Sequence, residues 1–295
     1  MPSSSTPVSV IIPTYNRVAL LSRAIDSVLT QSHRNFELIV VDDGSSDETP
    51  ALLASYGPAI TWLRQENRGP AAARNAGIRA ARHPLLAFLD SDDLFAGNKL
   101  ALQVAAMETR PEIMISHTQE VWFRNGRHLN QKKRHAKADG DIFARSLELC
   151  VVGMSTVMAR RELFELAGFF DESFPCCEDY ELWLRVGAGY PFLLVDEPLT
   201  IKHGGRPDQV SVRYRTGMDI FRLRAIEKVI ATGGLSQEQL NLAQAELVRK
   251  ATIYGEGCIK HGHSEEGRRC LALAGRISAE IAARPGSIEK ALGIV

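Results

Sequence analysis

Three carboxylates within four positions, Asp90, Asp92 and Asp93, close the stretch LLAFLDSDD, in which they follow an unbroken apolar run. Repulsion between carboxylates this close costs free energy unless a cation, a proton or a ligand group offsets it. Two readings fit the stretch alone: a solvated turn that caps a following helix, or a divalent metal site. A second acidic pair, Asp42 and Asp43, stands in VVDDGSSDET. An aspartate at a strand end can accept from the N–H of a base or from a ribose hydroxyl, and Gly44 would let backbone approach a ligand closely. A third pair, Glu178 and Asp179 in FPCCEDYELWLRV, sits where a helix should begin. Acids there are ordinary partners of the helix dipole. Arg68 and Arg74 in ENRGPAAARNAGI are charge-assisted donors able to reach a diphosphate, although the segment also reads as an Ala-rich packing helix with exposed arginines.

The elements that must position these groups alternate regularly. VSVIIPTY, FELIVVDD, ITWLRQ and LLAFLD read as strands. Between them RVALLSRAIDSVLTQS, SSDETPALLASY (as a capped helix) and GPAAARNAGIRAAR read as helices. Apolar strands in strict alternation with helices predict an α/β fold, with a mostly parallel sheet covered on both faces. In such sheets ligands bind at the carboxyl ends of the strands, which here carry PTYN, DDGSSDE and DSDD. Beyond a helix at NKLALQVAAMETRP the pattern turns irregular, with a hairpin expected at VWFRNGRHL and a basic, solvated loop at QKKRHAKADGD. From about Arg213 strand signals vanish, and three or more amphipathic helices follow as a C-terminal helical appendage. Two of them faintly resemble a single tetratricopeptide hairpin, and one repeat is no array.

Composition excludes several classes. The 295 residues balance 35 Lys and Arg against 35 Asp and Glu, so no global field draws nucleic acid or an anionic membrane. No apolar run approaches the roughly 18 to 20 residues that span a bilayer, and MPSSSTPVSV lacks the features of a signal peptide. The expectation is a flexible leader at residues 1–7 on a cytoplasmic protein. Five cysteines without a CxxC pair suit reduced thiols. Cys258, His261, His263 and Cys270 have metal-ligand side chains, but at spacings looser than those of zinc sites. No GxGxxG follows a strand and no GxxxxGK[ST] exists, which disfavours dehydrogenases and P-loop enzymes; a nucleotidyltransferase should carry a Gly-rich loop where PTYN stands.

VSVIIPTYNR, VVDDGSSDET, NRGPAAARNAGI and LDSDD, in this order and at these separations, resemble the nucleotide-binding half of family 2 glycosyltransferases with the GT-A fold. The resemblance is strong over residues 7–110 and weaker to about 205. It implies a Rossmann-like nucleotide-sugar-binding half at 8–110, an acceptor-binding half at 111–212 and a helical region at 213–295. It further implies an inverting enzyme that moves one sugar from a nucleotide-diphosphate sugar, a UDP-sugar favoured, to an acceptor hydroxyl. Tyr15 would lie against the base with Pro13 and Thr14 beside it, Asp42 would pair with the base edge, and Arg74 would approach the nucleotide. Asp90 and Asp92, with Asp93 as alternative, would hold Mn2+ or Mg2+ on the diphosphate. Asp179 would be the general base and Glu178 the fallback. In TIKHGGRPDQVS, Gly204 and Gly205 suit a loop that folds over the donor, and His203, less so Asp208, could complete the metal shell or touch the diphosphate. The family's usual products are surface polysaccharides and glycans, made on glycan, lipid-linked or protein acceptors; a lipid-linked acceptor would bring the protein peripherally to a membrane. No QxxRW element is present, which speaks for single-sugar transfer. The competing expectation is a catalytically silent binding or scaffold protein of the same fold, acting through its helical tail.

Overall fold

The computed structural model describes residues 5–284, so most of the expected leader lies outside the described residues. Thr6, within that leader, is held by Glu108, which accepts from its backbone N–H at 2.8 Å and its hydroxyl at 2.6 Å.

The first half alternates as expected: β1 (Val8–Thr14), α1 (Val18–Leu29), β2 (Phe36–Asp42), α2 (Thr49–Ser55), β3 (Thr61–Arg64), α3 (Pro70–Ala80) and β4 (Leu85–Phe88). Then come β5 (Leu94–Phe95), α4 (Lys99–Thr109), β6 (Ile115–Arg124), β7 (Arg127–Leu129), α5 (Phe143–Glu148), β8 (Met158–Arg160), α6 (Arg161–Leu166), α7 (Glu178–Gly189) and β9 (Phe192–Gly204). Four helices complete the described chain: α8 (Val210–Arg213), α9 (Met218–Ala231), α10 (Gln237–Lys260) and α11 (Ser264–Ala282).

One sheet runs in the order β3-β2-β1-β4-β8-β6-β9-β5, with β7 paired to β6 as the expected hairpin. The β3-β2-β1-β4 half is parallel throughout. β8 joins it antiparallel, and β6 pairs parallel with β9. All seven residues of β1 are buried, because the alternation of a strand sends Val8, Val10 and Ile12 into the core under α1, and Ile11 into the core under α3. Each such aliphatic side chain contributes roughly 1.5–3 kcal/mol of burial.

α3 packs on this sheet without side-chain bulk. A Cβ at Gly77 would stand 2.4 Å from Ile11 Cγ2, so the small residues of GPAAARNAGI set the distance between helix and sheet. α2 lacks a side-chain cap at its first position; Asp47 instead accepts from Thr49 N–H one turn edge earlier, at 3.0 Å.

The helices expected as an appendage share a core with α5 and α7. Leu223, Ile226 and Val229 of α9, with Ala243 and Leu247 of α10, pack against Phe143 and Leu147 of α5 and Tyr180 and Leu184 of α7. α7 is therefore held on two faces: Leu182, Trp183 and Val186 face the sheet core, as its sequence periodicity indicates, while Tyr180 and Leu184 face the tail. No helix among the described residues is long and apolar enough to cross a membrane.

Candidate active site

The carboxyl ends of the parallel strands open into a cavity of about 1390 Å3. That exceeds the roughly 300–1,000 Å3 of a site for one small ligand, leaving room for two substrates.

Between β4 and β5 the chain turns back on itself, Asp93 N–H donating to Asp90 O at 3.0 Å, and the turn gathers the three carboxylates. One oxygen from each of Asp90, Asp92 and Asp93 lies within 4.8 Å of the others, the one such group of potential ligands among the described residues. Cys258, His261, His263 and Cys270 form no such group there. Pairing of β5 with β9 brings Lys202 and His203 beside the turn. Ser155 fastens it from beneath, accepting from Asp90 N–H at 3.0 Å and donating to Asp93 Oδ2 at 2.7 Å.

The three acids differ in what balances them. Burial works to raise the Asp90 carboxyl, but Arg74, 2.8 Å away, and the Lys202 charge outweigh it and hold it below its ordinary value. Asp93 is pushed up to about 8 by burial, aided by Asp92 and Asp90 and opposed by Lys202. Asp92 accepts from Arg17 at 2.7 Å, from Arg206, and from Gln209 at 3.3 Å. Burial works against the Lys202 charge, yet Glu120, Asp93, Asp90 and Asp179 together raise its pKa above the ordinary lysine range.

Arg74 joins this turn to α7. Its guanidinium is buried, donates to Asp90 on one side and to Glu178 Oε1 at 2.5 Å on the other, and lies 5.6 Å from the Phe170 ring centroid. Burial raises the Glu178 carboxyl against the pull of Arg74, and Asp179 adds to the rise. Asp179 is held differently: Oδ1 accepts from Tyr180 N–H at 2.7 Å and Oδ2 from the Cys150 thiol at 3.4 Å.

Pro13, Thr14, Tyr15, Arg74, Asp90, Asp92, Asp93, Glu178, Asp179 and His203 all line the cavity, as does Asp208. Asp42 does not. Its carboxylate is fully buried behind the wall, where Oδ1 accepts from Ser45 N–H at 2.9 Å and Oδ2 faces Arg64 at 3.6 Å. The neighbouring Asp43 is the acid on the wall, because successive side chains leave a strand end on opposite sides. Asp43 also builds its own surroundings, accepting from Gln65, from Arg68 N–H at 3.0 Å and from Gly69 N–H at 2.8 Å. Gly44 has a role other than ligand approach: at φ +82 a Cβ there would meet Asn67 N at 2.9 Å, so chain, not ligand, demands the glycine. His203 touches the acid turn through its backbone N–H, which donates to Asp93 Oδ1 at 3.1 Å, while its ring stacks on Phe123. Arg68 points to Glu172, 2.5 Å away.

Comparison with known proteins follows this geometry. The model of Glycosyl transferase family 2 matches residues 9–166. The chain belongs to the family 2 glycosyltransferases. Over 203 residues it is 36% identical to an uncharacterized glycosyltransferase of Rickettsia felis, covering 66% of this chain and 32% of that protein. It thus spans about a third of the length of that relative. The UDP-Glc:alpha-D-GlcNAc-diphosphoundecaprenol beta-1,3-glucosyltransferase WfgD of Escherichia coli is 33% identical over 184 residues, 61% of this chain and 69% of that one. Among solved structures, S. aureus TarS 1-349 in complex with UDP-GlcNAc superposes with a TM-score of 0.70 at 18% identity, over 95% of this chain and 82% of that chain. The mannosyltransferase PcManGT from Pyrobaculum calidifontis, in complex with GDP-Man and Mn2+, gives 0.54 at 21% identity, over 99% and 79%. These likenesses show the GT-A fold.

Several residues of this family 2 glycosyltransferase site lie outside what its motifs disclose. Arg17 and Arg206 hold Asp92 from positions distant in sequence, and nothing in their local context signals the pairing. Lys202 had a signal, a lysine inside the apolar strand LTIKHGG. Lys137, in the loop expected to be solvated, is buried beside Glu120 at 3.2 Å and donates to Val151 O at 2.7 Å.

Proposed function

We propose that this chain transfers a single sugar from a nucleotide-diphosphate sugar, a UDP-sugar favoured, to an acceptor hydroxyl with inversion of configuration, in the making of a surface polysaccharide or glycan. The observation that carries the reading is the meeting, in one cavity, of the acid turn, Arg74 and the paired acids of α7. The UDP-sugar preference draws support from WfgD, which is named for UDP-Glc, at 33% identity.

Three clustered carboxylates, one of which, Asp93, is pushed up to about 8 by burial and its two acidic neighbours, fit a hard divalent cation. Asp90, Asp92 and Asp93 would hold Mn2+ or Mg2+, which when bound neutralises charge on a diphosphate. The base of the donor rests against Tyr15, with the backbone of Pro13 and Thr14 beside it. Asp43, on the wall, takes the base contact first expected of Asp42. Arg74 fixes α7 against the acid turn, so the donor and the proton acceptor keep one geometry.

Asp179 accepts the proton of the acceptor hydroxyl while that oxygen forms its bond to the anomeric carbon. The bond from that carbon to the diphosphate oxygen breaks on the opposite face, and the electron pair leaves with the nucleoside diphosphate. Residues 8–110 hold the donor in this scheme, and 111–212 the acceptor. Tyr214, Met218 and Arg222, which also line the cavity, extend the acceptor side into the helical region. The setting proposed is cytoplasmic, at the inner face of a membrane.

The test is a melting series with UDP, GDP, dTDP and their sugars, with and without Mn2+, because a ligand bound only by the folded state raises its stability. A Mn2+-dependent shift for one base supports the donor site and names the base. No shift with any of them refutes it and favours the silent scaffold.

A further inference from the structure

In a chain of zero formal net charge, exposed positive charge gathers on two segments that each contribute to the cavity lining, through Arg124 and Leu129 on one and residues 210–215 on the other. Between Glu120 and Asp139 there is no acidic residue at all. Arg124, Arg127, Lys132, Lys133 and Arg134 are exposed there, and none has an ion-pair partner among the described residues, whereas Arg17, Arg68, Arg74, Arg82 and Arg110 earlier in the chain are paired. Across the β6–β9 pairing, where Asn125 N–H donates to Gly204 O at 3.1 Å, the segment after β9 adds exposed Arg213 and Arg215, likewise without ion-pair partners among the described residues.

Exposed aliphatic side chains stand among these cations. Leu129 at the end of the hairpin and Val210 and Val212 of α8 are solvent-accessible, and all three also line the cavity. A solvated charged face has no need of them, and a soluble polyanion would make no use of them. Apolar side chains ringed by unpaired cations match an anionic bilayer, where the side chains enter the headgroup boundary and the cations meet lipid phosphates.

We propose that the cavity mouth, formed by the β6–β7 hairpin with the loop after it and by α8, is a docking surface for an anionic lipid membrane. Docked this way, the cavity opens toward the bilayer, and the acceptor it receives is carried on a lipid. The assignment of an acceptor rests on the transferase reading; the docking surface itself does not.

The test is sedimentation of the full chain with vesicles of phosphatidylglycerol mixed equally with phosphatidylcholine, against phosphatidylcholine alone, with heparin as a soluble polyanion. Binding to the anionic vesicles is expected, falling as salt rises. The triple variant Lys132→Glu, Lys133→Glu, Arg134→Glu should weaken it by about tenfold or more. The pair Leu129→Ser, Val212→Ser should weaken vesicle binding and leave heparin binding unchanged. If the triple variant does not fold, Arg213→Glu with Arg215→Glu makes the same test. Equal binding to both vesicle types overturns the proposal. So does vesicle binding that ignores the serine pair and is matched by heparin, which would mark a polyanion surface. The nucleotide-induced melting shift reads the donor site separately, so failure of docking and failure of the transferase reading are told apart.

Discussion

Asp179 and Glu178 are neighbours that the structure loads differently. Glu178 spends an oxygen on Arg74, while Asp179 Oδ2 accepts only from a thiol, a weak donor that leaves its capacity for a stronger partner. Asp179→Asn should therefore lower turnover by about 10²-fold or more with nucleotide affinity nearly unchanged, checked by kinetics beside calorimetry. Normal turnover in that variant would remove Asp179 as the base. Lys99 allows a prediction outside the site. Burial lowers its pKa from the ordinary 10.5 to about 7, beside Gln103 and the Phe95 ring. Between these values the unfolded chain binds the extra proton, so this group makes stability rise with pH from about 7 to 10.5, and its penalty is fully present below 7. The slope is at most about 1.4 kcal/mol per pH unit. Urea unfolding at pH 7, 8 and 9 should show Lys99→Met losing that slope relative to the unaltered chain.

At the scale of elements, α3 and α7 set the site. Gly77→Ala would drive a methyl into Ile11 and should cost about 1–3 kcal/mol, read as a lower melting temperature. Gly275, in α11 with nothing within 4 Å of its would-be Cβ, is the control and should tolerate alanine. The strands and helices up to β4 were legible because each has its own period, length and turn residues. β5 and β8 were not: two and three residues carry no periodicity, and only partners far along the chain make them strands. β9 hid for another reason, since LLVDEPLTIKHG mixes acids and a proline into a strand whose pairing with β6 shifts register near Pro198. The DDGS motif was legible as a turn, but which aspartate faces the cavity depends on where the strand ends, and that is uncertain by a residue from sequence.

For the whole molecule, the sequence shows that the C-terminal helices exist but not what they cover. Their apolar faces complete the core behind α7, and Lys228 of α9 ties down Asp171 at 2.7 Å and Glu181 at 2.8 Å. Truncation after residue 216 should therefore cost the folded state, seen as lost cooperative melting, whereas a free appendage could be removed silently. The acid turn was legible as a cluster needing compensation; its compensators, Arg17, Arg74, Lys202 and Arg206, are assembled by the fold from three separate segments. In the proposed function, Asp90, Asp92 and Asp93 of this turn would hold a divalent cation that offsets charge on the donor diphosphate. The most direct test of that role is calorimetric titration of the nucleotide giving the largest melting shift, with and without Mn2+, into the unaltered chain and Asp92→Ala. The account requires Mn2+ to tighten binding in the unaltered chain and that gain to fall about tenfold or more in the variant. Equal affinity with and without Mn2+, or a gain that survives the loss of Asp92, would contradict it.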